Sequence, residues 1–374
     1  MFRTSRPACI AVAFVVALGL PLAGTAQERA SRQPQTDRTV TVTKGSRLTV
    51  SNMAGEVVLR TWDRDSLRVQ ASHPPRITID IQTTGNIVAV KAKGGPPQAV
   101  DYEITAPTWL PVKVSGQFIY IGIEGVQNEV SAETVRGDIV VKGGSGSVTA
   151  KTIEGEIIVE DAKGRINASS VNEGIRISGA NGDVTADSTN GDIILTKVEA
   201  RSLEVTTVNG DIRFEGAIAP GSMQRISTHN GDITVIVPET ANATFTVRTY
   251  NGDFNSNLPV KTVGEVRRGR RATYTLGTGN AEFELESFGG TVRLRKPGTV
   301  PAPRGRQSDK DHHPDQFEDP AESGAAETEA TSGDQSARSA DIGSTRDARS
   351  AGVAAAATAV TVSATATTAK LHGS

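Results

Sequence analysis

The chain has 374 residues, with 40 Lys and Arg against 42 Asp and Glu, so a formal charge of −2 offers no basic field for nucleic acid. Its single cysteine, Cys9, lies near the start, which excludes a disulfide framework, a thiol nucleophile and a thiolate metal centre from the rest of the chain.

Residues 1–26 read as an export signal peptide. Arg3 and Arg6 form its basic segment, Ile10 to Leu22 its apolar one, and Gly24-Thr25-Ala26 its small residues before a cut at Gln27. The apolar run is short for a bilayer span and polar sequence follows it, so no transmembrane segment is expected after cleavage. Cys9 precedes that run, whereas a lipid-bearing cysteine would follow it. Loss of Arg3 and Arg6 takes the charge from −2 to −4. Residues 27–36 are a polar lead.

Residues 37–115 predict an irregular β cap and the first coils of a repeat. Strand candidates are 39–43, 47–51, 56–61, 66–72, 76–82, 87–91, 99–106 and 112–115, broken by Pro74-Pro75, by Gly94 to Pro97 and by Pro107. Trp62-Asp63-Arg64-Asp65 reads as a turn.

Residues 116–296 predict a β-solenoid, and the evidence is a nine-residue beat. A frame set at Gly137 falls next on Gly146, Gly155, Gly164, Glu173, Gly182 and Gly191. Two places after it stand Ile139, Val148, Ile157, Ile166, Ile175, Val184 and Ile193, all β-branched and suited to a buried strand. Four places after it, Val141, Ala150, Val159, Ala168, Ile177, Ala186 and Leu195 alternate large with small. Seven places after it, Gly144, Ile153, Ala162, Val171, Ala180, Thr189 and Val198 run in nearly the opposite phase, and the reading takes them as inward too. The period is therefore eighteen, built of two similar halves. Inward residues two apart with polar neighbours mean strands.

The expected fold is all-β: a parallel β-solenoid, or β-helix, of about eight to ten coils with two short strands per 18–21-residue coil, stacked at about 4.8 Å. Past Gly191 the Asn-Gly-Asp triplets begin at Asn209, Asn230 and Asn251, so the coils lengthen, with the extra residues widening one turn. The ordinary antiparallel sandwich with Asn-Gly hairpins is the competing architecture, but it requires no eighteen-residue phase. Thr273 to Leu276, Glu282 to Ser287 and Thr291 to Leu294 are expected to close the array.

Three stretches carry a resemblance. They are Val50-Ser51-Asn52-Met53-Ala54-Gly55-Glu56-Val57 followed by Thr61-Trp62-Asp63; Tyr102-Glu103-Ile104-Thr105-Ala106-Pro107 leading into Val112-Lys113-Val114; and the succession of Asn-Gly-Asp turns. Over about residues 37–296 the chain resembles the putative-adhesin family of bacterial envelope proteins, a domain of unknown function. The resemblance implies a β-solenoid-like fold and an exported location.

Arg267, Arg268, Arg270 and Arg271 make a basic loop, read as solvated. From residue 297 to 374 Pro, Ser, Asp, Ala and Thr dominate, which predicts a disordered tail. Ala351 to Ala369 is too weakly apolar to span a bilayer.

For a binding site the turn motif is the candidate. Positions nine apart lie on opposite edges of a coil, so Asn190, Asn209, Asn230 and Asn251 are expected to stack on one edge, with Asp192, Asp211, Asp232 and Asp253 beside them. Stacked Asn amides can hydrogen-bond along the ladder. A Ca²⁺ ladder is the competing reading of the Asp row, since a hard cation would relieve the repulsion of stacked carboxylates. Earlier coils, however, put Ser147, Glu156, Arg165 and Gly174 in the matching slots, and Asp follows a single glycine. The Asp row is instead expected to be held by turn N–H groups, with no cofactor and no metal. Arg136-Gly137-Asp138 spells an integrin tripeptide, but the turn register accounts for it.

His229 occupies the slot of Val208 and Tyr250 and reads as a packing residue. With no clustered His, no G-x-S-x-G elbow and no phosphate-binding loop, no catalytic residue is assigned. The expected function is a non-catalytic exported envelope protein, in the periplasm, at the cell envelope or secreted, acting as an adhesin-like binding or scaffold module on an unknown envelope or surface component. The alternative is a carbohydrate-active β-helix enzyme, lyase or hydrolase, with two acidic groups in a cleft. A third reading is a regulatory partner of a membrane signalling protein.

Overall fold

A computed structural model of the chain describes residues 35–94, 99–263 and 271–299. The leader at 1–26, most of the polar lead, Arg267, Arg268 and Arg270, and the tail from residue 300 lie outside the described residues.

The described chain is all strand and turn. Seven strands build the first part: β1 (Thr36–Thr41), β2 (Arg47–Trp62), β3 (Ser66–Ser72), β4 (Thr78–Thr84), β5 (Ile87–Lys93), β6 (Asp101–Pro107) and β7 (Val112–Glu124). The regular middle follows: β8 (Val130–Glu133), β9 (Ile139–Lys142), β10 (Ser145–Lys151), β11 (Ile157–Glu160), β12 (Lys163–Ser169), β13 (Ile175–Ser178) and β14 (Asn181–Asp187). The coils then lengthen: β15 (Ile193–Asn209), β16 (Ile212–Asn230), β17 (Ile233–Ile236), β18 (Ala243–Thr249) and β19 (Phe254–Ser256). The last four strands are β20 (Lys261–Val263), β21 (Ala272–Leu276), β22 (Ala281–Ser287) and β23 (Val292–Arg295).

The expected parallel β-solenoid is what these strands form. Each rung holds two strands, and each strand pairs in parallel with its counterparts above and below. Read through space, one column runs Val88, Leu48, Val112, Val130, Val148, Ile166, Val184, Leu203, Gln224, Phe283, Phe245. The other runs Tyr102, Val57, Ile121, Ile139, Ile157, Ile175, Ile193, Ile212, Ile233, Val292, Phe254. Among the described residues that makes eleven rungs, one more than the upper end of the expectation. The residues fill one continuous core.

The large–small alternation has a simple cause. Val141, Val159, Ile177 and Leu195 belong to one column, while Ala150, Ala168 and Ala186 belong to the other, and all are buried. The two columns share a narrow interior at constant volume per layer. The residues seven places after the frame do not all point inward. Gly144, Ala162, Ala180 and Val198 are buried, but Ile153 is 46% exposed and Val171 37%. Successive members of that series sit on opposite edges of the solenoid, and only one edge turns them in.

The edge that buries them makes a left-handed turn in every regular rung: Gly125, Gly143, Asp161, Gly179 and Lys197 all have positive φ, with Asp161 and Lys197 at 54°. The extra residues of the longer coils enter on this edge. Between β15 and β16 the register shifts at Thr196/Val198 and Ala200/Ser202. Gln224 occupies a core slot there, fully buried, and its Nε2 donates to the Ala200 carbonyl at 2.9 Å.

Space does not follow sequence at either end. β2 lies between the β5–β6 rung and the β7 rung, although β5 and β6 come after it in the chain. The β22–β23 rung lies between the β16–β17 rung and the β18–β19 rung, although it comes after both. Antiparallel strands cover the ends: β4 on β5, β3 on β6 and β1 on β3 at one, β21 on β18 and β20 on β21 at the other. Phe254 stacks on Tyr274 at 4.1 Å under the second cap. This corrects the sequence expectation. Residues 272–276 close the array, but 281–287 and 292–295 are threaded inside it.

Candidate binding edge

The Asn-Gly-Asp turns lie on the edge opposite the left-handed turns. Their pattern is wider than a triplet. Thr134-Val135-Arg136-Gly137-Asp138, Thr152-Ile153-Glu154-Gly155-Glu156, Thr207-Val208-Asn209-Gly210-Asp211 and Thr228-His229-Asn230-Gly231-Asp232 share one form. A hydroxyl residue comes first, an outward residue next, then the ladder residue, the glycine and the acid.

The hydroxyl row was missed by sequence reasoning. Thr152, Ser170, Ser188, Thr207, Thr228 and Ser287 are all buried. Each donates to a main-chain carbonyl of a neighbouring coil: Gly137, Gly155, Glu173, Gly191, Gly210 and Gly231, at 2.9–3.3 Å. The recurrence of Ser or Thr two places before the ladder residue was its available signal. The glycines permit the contact between turns. A Cβ on Gly210 would stand 2.2 Å from the Gly191 carbonyl oxygen, and one on Gly231 2.0 Å from that of Gly210.

The ladder row forms as expected over its centre. Asn190 Nδ2 donates to Asn172 Oδ1 at 3.2 Å, Asn209 to Asn190 at 2.8 Å, and Asn230 to Asn209 at 2.9 Å. Toward the N-terminal side the row continues as Glu154, Arg136 and Phe118. Arg136 pairs with Glu154 at 2.5 Å, and its guanidinium lies 5.9 Å from the Phe118 ring centroid.

Asn251 does not stack on Asn230, nor Asp253 on Asp232. The inserted β22–β23 rung places Gly289 between the two asparagines and Thr291 between the two aspartates. The amide chain therefore ends at Asn230.

The acid row is held by turn N–H groups. Asp138 Oδ1 accepts from the Glu156 amide at 2.8 Å, Asp192 from Asp211 at 2.8 Å, and Asp211 from Asp232 at 2.8 Å. Asp232 accepts from Thr291 N at 2.7 Å and pairs with Arg293 Nη1 at 2.5 Å. Burial opposes its charge, but the bonds from Arg293 and Thr291 outweigh that and hold its pKa below the usual carboxylate value. Among the described residues no group of three or more His, Asp or Glu side chains is arranged to hold a metal ion.

Between the hydroxyls and the ladder runs an exposed, mainly apolar row, with Thr189 and His229 as its polar members. Val135 is 42% exposed, Ile153 46%, Val171 37%, Val208 42%, Phe288 41% and Tyr250 47%. His229 stacks on Phe288 at 4.7 Å with the planes 9° apart, and Phe288 meets Tyr250 at 5.2 Å. Phe288 separates His229 from Tyr250, the neighbour the sequence suggested. Exposed aliphatic and aromatic side chains in one line are not needed to hold the coil, because the hydroxyl and glycine rows do that.

Residues 23–295 match the model of a family described as Toastrack DUF4097. No curated protein matches the chain. Among solved structures it is similar to a putative adhesin from Bacteroides fragilis, at 10% identity over 69% of this chain and 96% of that one, with a TM-score of 0.33. It is also similar to a putative adhesin from Parabacteroides merdae, at 13% identity over 69% and 95%, TM-score 0.28. A third is a putative cell adhesion protein from Clostridium sporogenes, at 10% identity over 71% and 100%, TM-score 0.20.

Proposed function

The chain belongs to the Toastrack DUF4097 family, and from that premise we propose that it is a non-catalytic, adhesin-like binding module of the cell envelope, exported by its leader and working through the Asn-Gly-Asp edge. The observation that carries this reading is the exposed apolar row, set beside a line of side-chain amides and outside the packing that stabilises the coil. A line of this kind has its polar groups at fixed height and fixed spacing, which suits recognition of an extended partner. The acid row is engaged in the coil stack: Asp138, Asp192, Asp211 and Asp232 each accept a main-chain amide through Oδ1.

The test is a pull-down of the full chain against fractionated cell envelope, compared with a chain carrying Val135→Lys, Ile153→Lys and Val208→Lys. Specific retention that the triple substitution abolishes supports the reading. Equal retention by both, or none by either, sinks it. In either chain the surrounding hydroxyl and glycine rows are untouched, so circular dichroism is expected to be the same.

A further inference from the structure

We propose that the ligand of this edge is a neutral glycan chain laid along the solenoid axis, with sugar rings against the His229–Phe288–Tyr250 stack and hydroxyl groups on the Asn ladder. The inference rests on the binding-module reading above and gives it a ligand class. Three features of the edge argue for it together.

The first is unspent hydrogen-bonding capacity. An Asn side chain offers two N–H donors and an oxygen with two lone pairs. In the run Asn172, Asn190, Asn209 and Asn230, each internal amide spends one N–H and one lone pair on its neighbours. One donor and one acceptor per rung remain, repeating at the strand spacing of about 4.8 Å. A chain of hydroxyl groups, each both donor and acceptor, matches such a row; a purely apolar partner leaves it unsatisfied.

The second is the aromatic stack. His229 and Phe288 are slipped at 4.7 Å and 9°, while Tyr250 tilts by 34° against Phe288 at 5.2 Å, so the outer faces of His229 and Tyr250 and the ring edges stay uncovered. Tyr250 and Phe288 remain 47% and 41% exposed. Partly open rings that continue the line of the amide ladder from Asn230 onward fit a long ligand with apolar C–H faces and a polar rim.

The third is charge. The flank of the edge carries Asp138, Glu156, Asp192, Asp211 and Asp232. Among the described residues the ion pairs on this row are Arg176 with Glu156 and Arg293 with Asp232, so five carboxylates face two paired cations. This disfavours an anionic polymer. It also disfavours a second copy, whose own acid row would face the first.

The experiment is a glycan array probed with the full chain, carrying neutral oligosaccharides, their uronate or sulfated counterparts, and free-amine chains. Neutral chains are expected to be retained and their anionic counterparts at least about tenfold less, as charge repulsion requires. Tyr250→Ala with Phe288→Ala is expected to lower retention by about tenfold, the worth of two aromatic contacts. Tyr250→Phe keeps the ring and is expected to keep the binding, which separates recognition from misfolding. Strongest retention on anionic or on free-amine chains, or undiminished retention in the double Ala chain, overturns the proposal. So does silence on every glycan alongside capture of an envelope protein at the same edge, and that outcome leaves the binding-module reading standing. Silence in both assays removes the two together.

Discussion

The middle of the solenoid and its ends obey different rules. From β7 to β17 each coil leans on the one made just before it, so position in sequence is position in space. At the ends the chain doubles back, and the first and last rung-forming segments, β2 and β22–β23, are flanked on both sides by rungs. A simple stack frays from its termini, because the terminal coil has one neighbour. Here the rung at each spatial end is an internal piece of chain under an antiparallel cap, and the first and last rung-forming segments are locked one rung in.

The sharpest way to break that contrast is deletion. A chain stopped after residue 280 loses Phe283, Leu285, Val292 and Leu294, all buried. At roughly 1.5–3 kcal/mol each, these approach the whole stability of an ordinary domain, about 5–15 kcal/mol. Hydrogen exchange is expected to show protection lost across 243–256 as well, since β18 and β19 then have no parallel partner. Excision of residues 155–172 removes one regular coil in phase, and is expected to keep a cooperative melt only a few degrees lower. Native protection of 243–249 in the truncated chain contradicts the contrast.

Within the packing, Phe283→Ala is expected to cost about 3–5 kcal/mol in urea unfolding. Its ring lies 4.9 Å from Phe245 and 5.9 Å from Phe214, so the inserted rung ties both neighbours. In the middle, Ile157→Val is expected to cost about 0.5–1.5 kcal/mol. Leu285→Ala in the inserted rung and Leu195→Ala in the middle are the matched pair, both buried, and equal losses there deny the inserted rung any special weight.

The hydroxyl row allows a finer comparison. Thr207→Val leaves the Gly191 carbonyl without the hydroxyl that binds it at 3.0 Å, and is expected to cost about 1–2 kcal/mol. Ser287 both donates to Gly231 O and accepts from Gly290 N, each at 2.9 Å, so Ser287→Ala is expected to cost more, about 2–3 kcal/mol. Thermal melts that rank the two in the reverse order count against the inserted rung being the more tightly joined.

The smallest effect concerns pH. Asp232 sits where the inserted rung meets the middle, and its folded pKa is lowered from the unfolded value. A lowered acid pKa contributes stability above the ordinary carboxylate range, near 3.9, and loses it as pH falls through the folded value. Wild type is therefore expected to exceed Asp232→Asn in stability at neutral pH, and the two to converge in acid. A pH-independent difference removes the charge from the account.

Much of the middle was legible because period and packing coincide. The inward pairs Ile139/Val141 and Val148/Ala150 name both columns, and the Asn-Gly-Asp turns name an edge. A nine-residue frame, however, cannot distinguish the two edges, which is why Ile153 and Val171 read as inward. The threading at the C-terminal end was hidden for a different reason. Asn251-Gly252-Asp253 repeats the turn of its predecessor, so the local pattern continues while the neighbour changes. The only trace is that Ser287-Phe288-Gly289-Gly290-Thr291 repeats the turn grammar with glycine at the crowded slot. Partner choice among equivalent strands is a long-range property, and local preference carries little of it.

The threaded rung has a mechanical meaning. Tension applied at residue 299 reaches β23 first, and β23 is hydrogen-bonded to β17 on one side and β19 on the other. The pull cannot unzip one ladder bond by bond from a free margin. It must drag a strand out from between two others, loading both ladders at once, so the joint best placed to bear a load is the one nearest the end of the chain.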